Sequence, residues 1–313
     1  MPDAVASQRR HQRVGHLGLP DHLPEGLWSV AAIKGGCHSP SLRRTTDTDT
    51  AEAPRRNNLR PPGVGLSMTD TSTAPARLGI DVWLDVACPW CALGERRLRS
   101  VISDLPFTGE VDVRFHSYQL DPNAPERATM SQAEYLAGRG LDPERLEASH
   151  RHLSDAGEQV GFRFDHAATV PSNTFTAHRM IQAATAHGVQ AAVVDALLVG
   201  YFQNGVDVGD AAALREVVVS AGLDPVTADE VLADPAAYAD DVRGDIAQAS
   251  SLGIQGVPFY VLDGRYGISG AQPAEVFEQA LTQVYDELNP KPAQPLNLVG
   301  EQGTACGPDG CEA

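Results

Sequence analysis

The sequence predicts an α/β fold in which a βαβ half and a ββα half close into one sheet around an inserted all-helical domain. Three observations predict it. Alternating apolar residues run straight into Cys88-Pro89-Trp90-Cys91 and a helical stretch. Helical periodicity then persists from about residue 121 to 250 with no strand pattern. Strand character returns only at Val257–Leu262, followed by a hairpin signal and one more amphipathic helix.

The elements follow in chain order. Ile80, Val82, Leu84 and Val86 alternate with Asp81, Trp83 and Asp85, which reads as a strand. Leu93 to Leu105 reads as a helix with Arg96, Arg97 and Arg99 on its wet face, and Val111, Val113 and Phe115 as a second strand. Within the helical block, Val193, Ala196, Leu197, Gly200 and Tyr201 keep one helical face, as do Leu214, Val217, Val218 and Ala221. Asp224-Pro225 and Asp234-Pro235 each read as an N-cap followed by proline in the first turn. Ala239, Val242, Ile246 and Ala249 form the stripe of the last helix of the block. Asp263-Gly264 predicts a two-residue hairpin, with Arg265–Ile268 as its return strand. Pro273 opens a helix striped by Val276, Phe277, Ala280, Leu281, Val284 and Leu288. The resulting domains are 78–120 and 251–290 for the two halves and 121–250 for the insertion.

Both ends differ from this body. Residues 1–67 hold seven prolines and the run Thr45-Thr46-Asp47-Thr48-Asp49-Thr50, so residues 1–77 are expected to be a disordered extension. Met68 heads an ordinary polar lead, and the chain made in the cell is expected to start there. Arg9-Arg10 is not followed by a long apolar stretch, which argues against a secretory signal. Residues 291–313 are Pro/Gly-rich and read as a flexible tail. The formal charge is −17, but residues 1–67 carry nine Lys/Arg against six Asp/Glu. The remaining body is therefore strongly acidic, which argues against nucleic acid and anionic membrane as partners.

The chemistry lies in the cysteines. There are five: Cys37, Cys88, Cys91, Cys306 and Cys311. That is too few for a secreted disulfide framework, and two close pairs fit redox use. A cysteine at the junction of strand and helix meets unpaired backbone N–H groups and the positive end of the helix dipole, which favour its thiolate. Cys88 is thus the candidate nucleophile. Cys91, one turn on and deeper, can attack the mixed disulfide and release the partner. Pro89 sits where its missing N–H is harmless, and Trp90 is expected to face outward as an apolar docking surface. Gly256-Val257-Pro258 opens the returning strand, a place that suits either a cis peptide exposing the Val257 backbone to an extended substrate or an ordinary trans proline at a strand start. His178 reads as a groove-wall residue of the insertion, not a chemical participant. Asp85 reads as an exposed strand-end carboxylate, with proton transfer as the less favoured role.

Asp85-Val86-Ala87-Cys88-Pro89-Trp90-Cys91-Ala92-Leu93-Gly94 resembles the DsbA family, specifically its FrnE-like branch. So do Asn173–Arg179, Gly256–Tyr260 and Ser269–Gln272. The likeness covers roughly residues 78–290. It implies a thioredoxin-like fold with a helical insertion, a nucleophilic Cys88, a resolving Cys91, and a cis Pro258 that shapes the substrate groove with Val257. DsbA has Pro-His between its cysteines where this chain has Pro-Trp. The missing imidazole implies a less stabilised thiolate and a less oxidising couple.

Cys306 and Cys311 flank Gly-Pro-Asp-Gly on the tail. Tethered thiols can exchange with an active-site disulfide, so a second redox pair is one reading; a structural disulfide or idle thiols is the other. No metal site is expected, because the two pairs lie far apart in sequence. The leading function is a cytoplasmic thiol–disulfide oxidoreductase, with isomerase activity included, acting on protein or small thiol and disulfide substrates. No bound cofactor is expected, and glutathione is a candidate co-substrate. The oligomeric state stays open. The alternative is a small-molecule enzyme, either like the glutathione-dependent 2-hydroxychromene-2-carboxylate isomerases or from a polyketide pathway. That isomerase group has Ser where this chain has Cys88.

Overall fold

Residues 78–84 alternate in sequence, yet the strand they form is covered on both faces. The computed structural model describes residues 74–291 and a two-residue strand, β1, at Ala31–Ala32. Strand β2 (Leu78–Leu84) runs parallel to β3 (Val111–Ser117) on one side and antiparallel to β4 (Phe259–Leu262) on the other. β4 pairs with β5 (Tyr266–Ser269), and β1 adds to β5, giving the order β1-β5-β4-β2-β3. Sequence-distant halves thus meet at β2 and β4, where Val82 lies opposite both Phe115 and Tyr260.

Leu78, Ile80, Val82 and Leu84 point into the main core with helices α1 (Pro89–Asp104) and α9 (Ala274–Leu288). Trp83 points the other way into a smaller cluster with Ala249, Ile254 and Val261, beneath α8 (Ala239–Ser251). Its indole N–H donates to the Asp245 carbonyl, so this second face of the strand is closed by a helix of the insertion. The hairpin is built as expected: Asp263 and Gly264 both take positive φ, 49° and 64°, which the tight turn requires.

The insertion comprises α2 (Gln132–Gly138), α3 (Pro143–Glu158), α4 (Phe175–Ala186), α5 (Gln190–Gln203), α6 (Ala211–Ser220), α7 (Pro225–Ala233) and α8. α5 is buried on more than the expected stripe, with Val194, Leu198 and Phe202 also inside, because it lies among α1, α4, α6 and β3. Asp224 caps α7 as expected, accepting from the Thr227 N–H at 3.0 Å. Asp234-Pro235 does not open a helix. Arg179 of α4 donates to the carbonyls of Val231, Asp234 and Ala237, holding residues 235–238 as a turn. α8 starts only at Ala239, after Tyr238 has taken a left-handed conformation. Among the described residues, no helix is long and apolar enough to cross a membrane. The expected start at Met68, Cys37, Cys306 and Cys311 lie outside the described residues.

Candidate active site

The end of β2 and the start of α1 fix the geometry of the two cysteines. Cys88 is the N-cap, extended at φ −92° and ψ 111°. Its N–H donates to the Asp85 carbonyl at 3.0 Å, and its own carbonyl accepts from Cys91 at 3.0 Å. Pro89 takes the first helical position. The Cys88 side chain makes no capping hydrogen bond to the helix's opening N–H groups, and its sulfur stands at the positive end of the helix dipole. Both cysteines are free thiols and almost fully buried. Burial pushes the Cys91 thiol well up, and the adjacent Cys88 sulfur pushes it further, against a backbone hydrogen bond from Asp85 that lowers it. Cys91 therefore stays protonated while Cys88 is free.

The Cys88 thiol donates to the Val257 carbonyl at 3.4 Å. The Val257–Pro258 peptide is cis. Residues about 170 apart in sequence thus form one site: Cys88 and Cys91 on one side, Val257 and Pro258 on the other. A glycine makes this approach possible. A Cβ on Gly94, one turn after Cys91, would overlap the Tyr260 hydroxyl and sit 3.1 Å from Pro258 Cγ. Tyr260 itself is fully buried, and its hydroxyl has no hydrogen-bond partner. Burial raises its phenol, with the nearby Cys91, Glu95 and Cys88 adding to the effect. Glu95 is also buried, which raises its carboxyl against the opposing pull of Arg99 and Arg96.

Four sequence expectations need correction here. Asp85 is buried, at 1% exposure, not exposed. Its Oδ2 accepts from the Leu120 N–H at 2.7 Å and its Oδ1 from Ala87 N–H at 3.3 Å; these amides stabilise the carboxylate in place of water. His178 is fully buried and does not stand on a groove surface; its Nε2 lies 3.2 Å from Asp85 Oδ1, while its Nδ1 has no partner. Trp90 does not face outward. It is half-buried against His152 of α3, with ring centroids 5.4 Å apart. Nor is the arginine row a free wet face. Arg96 and Arg99 pair with Glu95 and Asp195, and Arg97 donates to the Ala271 carbonyl at 2.6 Å, so the row ties α1 to α5 and to the loop after β5.

Sequence reasoning missed Gly94, Tyr260 and Glu95. Gly94 lies on a helix, where glycine is disfavoured, and that misfit is a readable signal of close approach. Tyr260 and Glu95 carry no such signal. Among the described residues, no group of three or more His, Cys, Asp or Glu side chains could hold a metal ion.

A family model, the DSBA-like thioredoxin domain, matches residues 79–282. No curated protein matches the chain by sequence. Among solved structures, the chain is similar to a probable DsbA oxidoreductase from Streptomyces coelicolor, with 39% identity and a TM-score of 0.64. That match covers 76% of this chain and 99% of the other. A 2-hydroxychromene-2-carboxylate isomerase shares the fold, at 16% identity and a TM-score of 0.50, covering 67% of this chain and 97% of that one. With the matched family domain spanning the dithiol turn, the inserted helices and the Val257–Pro258 strand, this chain belongs to the DsbA-like thioredoxin-domain family.

Proposed function

We propose that the chain is a thiol–disulfide oxidoreductase, of the FrnE-like branch, that works through the Cys88-Pro89-Trp90-Cys91 dithiol and exchanges or isomerises protein disulfides. The observation that carries this reading is the Cys88 sulfur at the opening of α1, 3.4 Å from the Val257 carbonyl. In the reducing direction the Cys88 thiolate attacks one sulfur of a substrate disulfide. That S–S bond breaks, and the departing substrate thiolate takes a proton. Cys91 then loses its proton and attacks Cys88 Sγ. The mixed disulfide breaks, the second substrate thiol leaves, and a Cys88–Cys91 disulfide remains. Two electrons pass to the substrate, and the reverse sequence oxidises it. The Val257 backbone is placed to pair with an extended substrate strand beside the sulfur. Retention of Cys at position 88 supports disulfide chemistry over small-molecule isomerisation. Glutathione is the proposed small-thiol co-substrate, and the sparse cysteine usage supports a reducing compartment, the cytoplasm.

The tail pair fits the same reading as a relay. Asn289 bonds both backbone groups of Ala76, so the tail leaves beside the start of β2. From Ala76 to Cys88 the chain can span at most about 40 Å, whereas the segment from Lys291 to Cys306 can reach about 50 Å. Cys306 and Cys311 are therefore long enough on their tether to exchange with the dithiol.

Reduction of insulin by the full chain, with glutathione as reductant, tests the proposal. Turnover that vanishes in Cys88→Ser supports it. Equal turnover in that variant overturns it. Replacing Cys306 and Cys311 by Ser should slow electron delivery to the dithiol, and unchanged turnover would remove the relay.

A further inference from the structure

Two adjoining cavities flank the dithiol turn on the side of the insertion, away from Val257 and Pro258. The first, of about 220 Å³, is lined by Asp85, Gln132, Ser172, Thr174 and Tyr201. The second, of about 250 Å³, is walled by Pro89, Leu141, Leu146, Leu153 and Phe202, with the stacked imidazoles of His150 and His166. Ala87, Gln132 and Leu136 border both, so they form one two-chambered space that reaches Ala87 and Pro89, the residues on either side of Cys88.

The first chamber holds polar atoms with nothing to bond. Ser172 is 2% exposed, and its hydroxyl has no partner. The Gln132 carbonyl oxygen is likewise buried and unpaired. Leaving such groups unmade is unfavourable, and native proteins do so mainly where a ligand or water completes them. The charged groups lining the chamber are already compensated. Both Asp85 oxygens accept backbone N–H groups, and Arg139 pairs with Asp121 and Tyr135. An anion would find no free cation here, and a cation no free carboxylate. The second chamber offers leucine, phenylalanine and two imidazoles that burial holds below their usual protonation range.

We propose that this space is a binding site for a neutral hydroxyl-bearing aromatic molecule, its hydroxyl held by Ser172 and Gln132 and its ring among the leucines of the second chamber. The hydroxyl donates to Gln132 Oε1 and accepts from the Ser172 hydroxyl, while the rings displace water from an apolar surface. The site is separate from the Val257–Pro258 edge where a disulfide substrate docks, and its occupancy does not depend on the redox reading.

Titration of the full chain with 2-naphthol, followed by calorimetry, tests it. One saturable site per chain is expected. Combined Ser172→Ala and Gln132→Leu should weaken binding about tenfold, as the loss of two neutral hydrogen bonds predicts. Leu136→Trp, which fills the shared wall, should abolish it, and its melting curve shows independently that the variant folds. 2-Naphthoate, with a charge the chamber cannot neutralise, should bind at least tenfold more weakly. Absence of saturable binding, an affinity unchanged in both variants, or equal affinity for 2-naphthoate would each overturn the proposal.

Discussion

The two walls of the dithiol turn are built in opposite ways. Toward β4, Gly94, Pro258 and Tyr260 meet so closely that no further atom fits. Toward the insertion, α2, α3 and α5 leave open chambers and several polar atoms without partners. On the tight wall the Val257 carbonyl accepts from the Cys88 thiol. The open wall combines a fixed element, the Asp85–His178 pair, with vacant space beside it. A third region gives the reference state. His116, buried between β3 and α8, has both ring nitrogens bonded at 2.8 Å, one to Asp81 and one to Asp245, and it stacks on Trp83. Asp245 is further bonded by Ser117 and Gln182. That network is complete, whereas His178, bonded to Asp85 at the dithiol turn, keeps one nitrogen without a partner. The completed histidine lies under α8, and the incompletely bonded one lies beside the dithiol.

The largest structural effect is expected at Asp85. Asp85→Ala strips acceptors from the Ala87 and Leu120 N–H groups and leaves His178 unpaired, which should destabilise the fold by about 3 kcal/mol or more in urea unfolding. Asp85→Asn, which keeps one acceptor, should lose less than half of that. Equal losses would mean that charge, not hydrogen bonding, fixes the turn.

The next effect lies on the tight wall. Gly94→Ala should lower stability by about 1–3 kcal/mol through overpacking, and should reduce disulfide turnover as Pro258 is pushed from the cysteines. Tyr260→Phe tests the same wall in the other direction. Removing a buried hydroxyl with no partner should raise stability by about 1 kcal/mol, and restoring space in Gly94→Ala/Tyr260→Phe should recover part of the loss. Additive losses in the double variant would separate the two positions.

The smallest effect should come from pH at the reference histidine. Burial lowers the His116 imidazolium, but hydrogen bonds and charge from Asp245 and Asp81 outweigh it, and its protonation range is raised. The folded state thus holds this proton more tightly than the unfolded chain. Its contribution is complete below pH 6.5, the ordinary histidine value, and fades as pH climbs through the raised folded value. Thermal melts should show stability falling above pH 6.5, and His116→Gln should flatten that slope. An unchanged slope would show that another group titrates there.

The architecture was legible because its signals are local. Alternation from Ile80, which the structure keeps as strand up to Leu84, the proline after Asp224, and Asp263-Gly264 each act within a few residues. Cys88 at the strand–helix junction was legible for the same reason. What failed depended on distant partners. Asp234-Pro235 was overridden by Arg179, more than fifty residues earlier in the chain. Trp90 and the α1 arginines looked solvated until α3, α5 and the loop after β5 covered them. Asp85 and His178 are ordinary polar residues in sequence, and only the approach of α4 to the turn after β2 makes them a buried pair.

Trapping the covalent intermediate tests the central claim most directly. Cys91→Ser in a chain that also carries Cys37→Ser, Cys306→Ser and Cys311→Ser, exposed to a disulfide-bonded peptide and analysed by mass spectrometry under acid quench, should accumulate a stable mixed disulfide whose only attachment point is Cys88. An adduct at another residue, or none while the wild-type chain turns the peptide over, would contradict the assignment of Cys88 as the attacking sulfur.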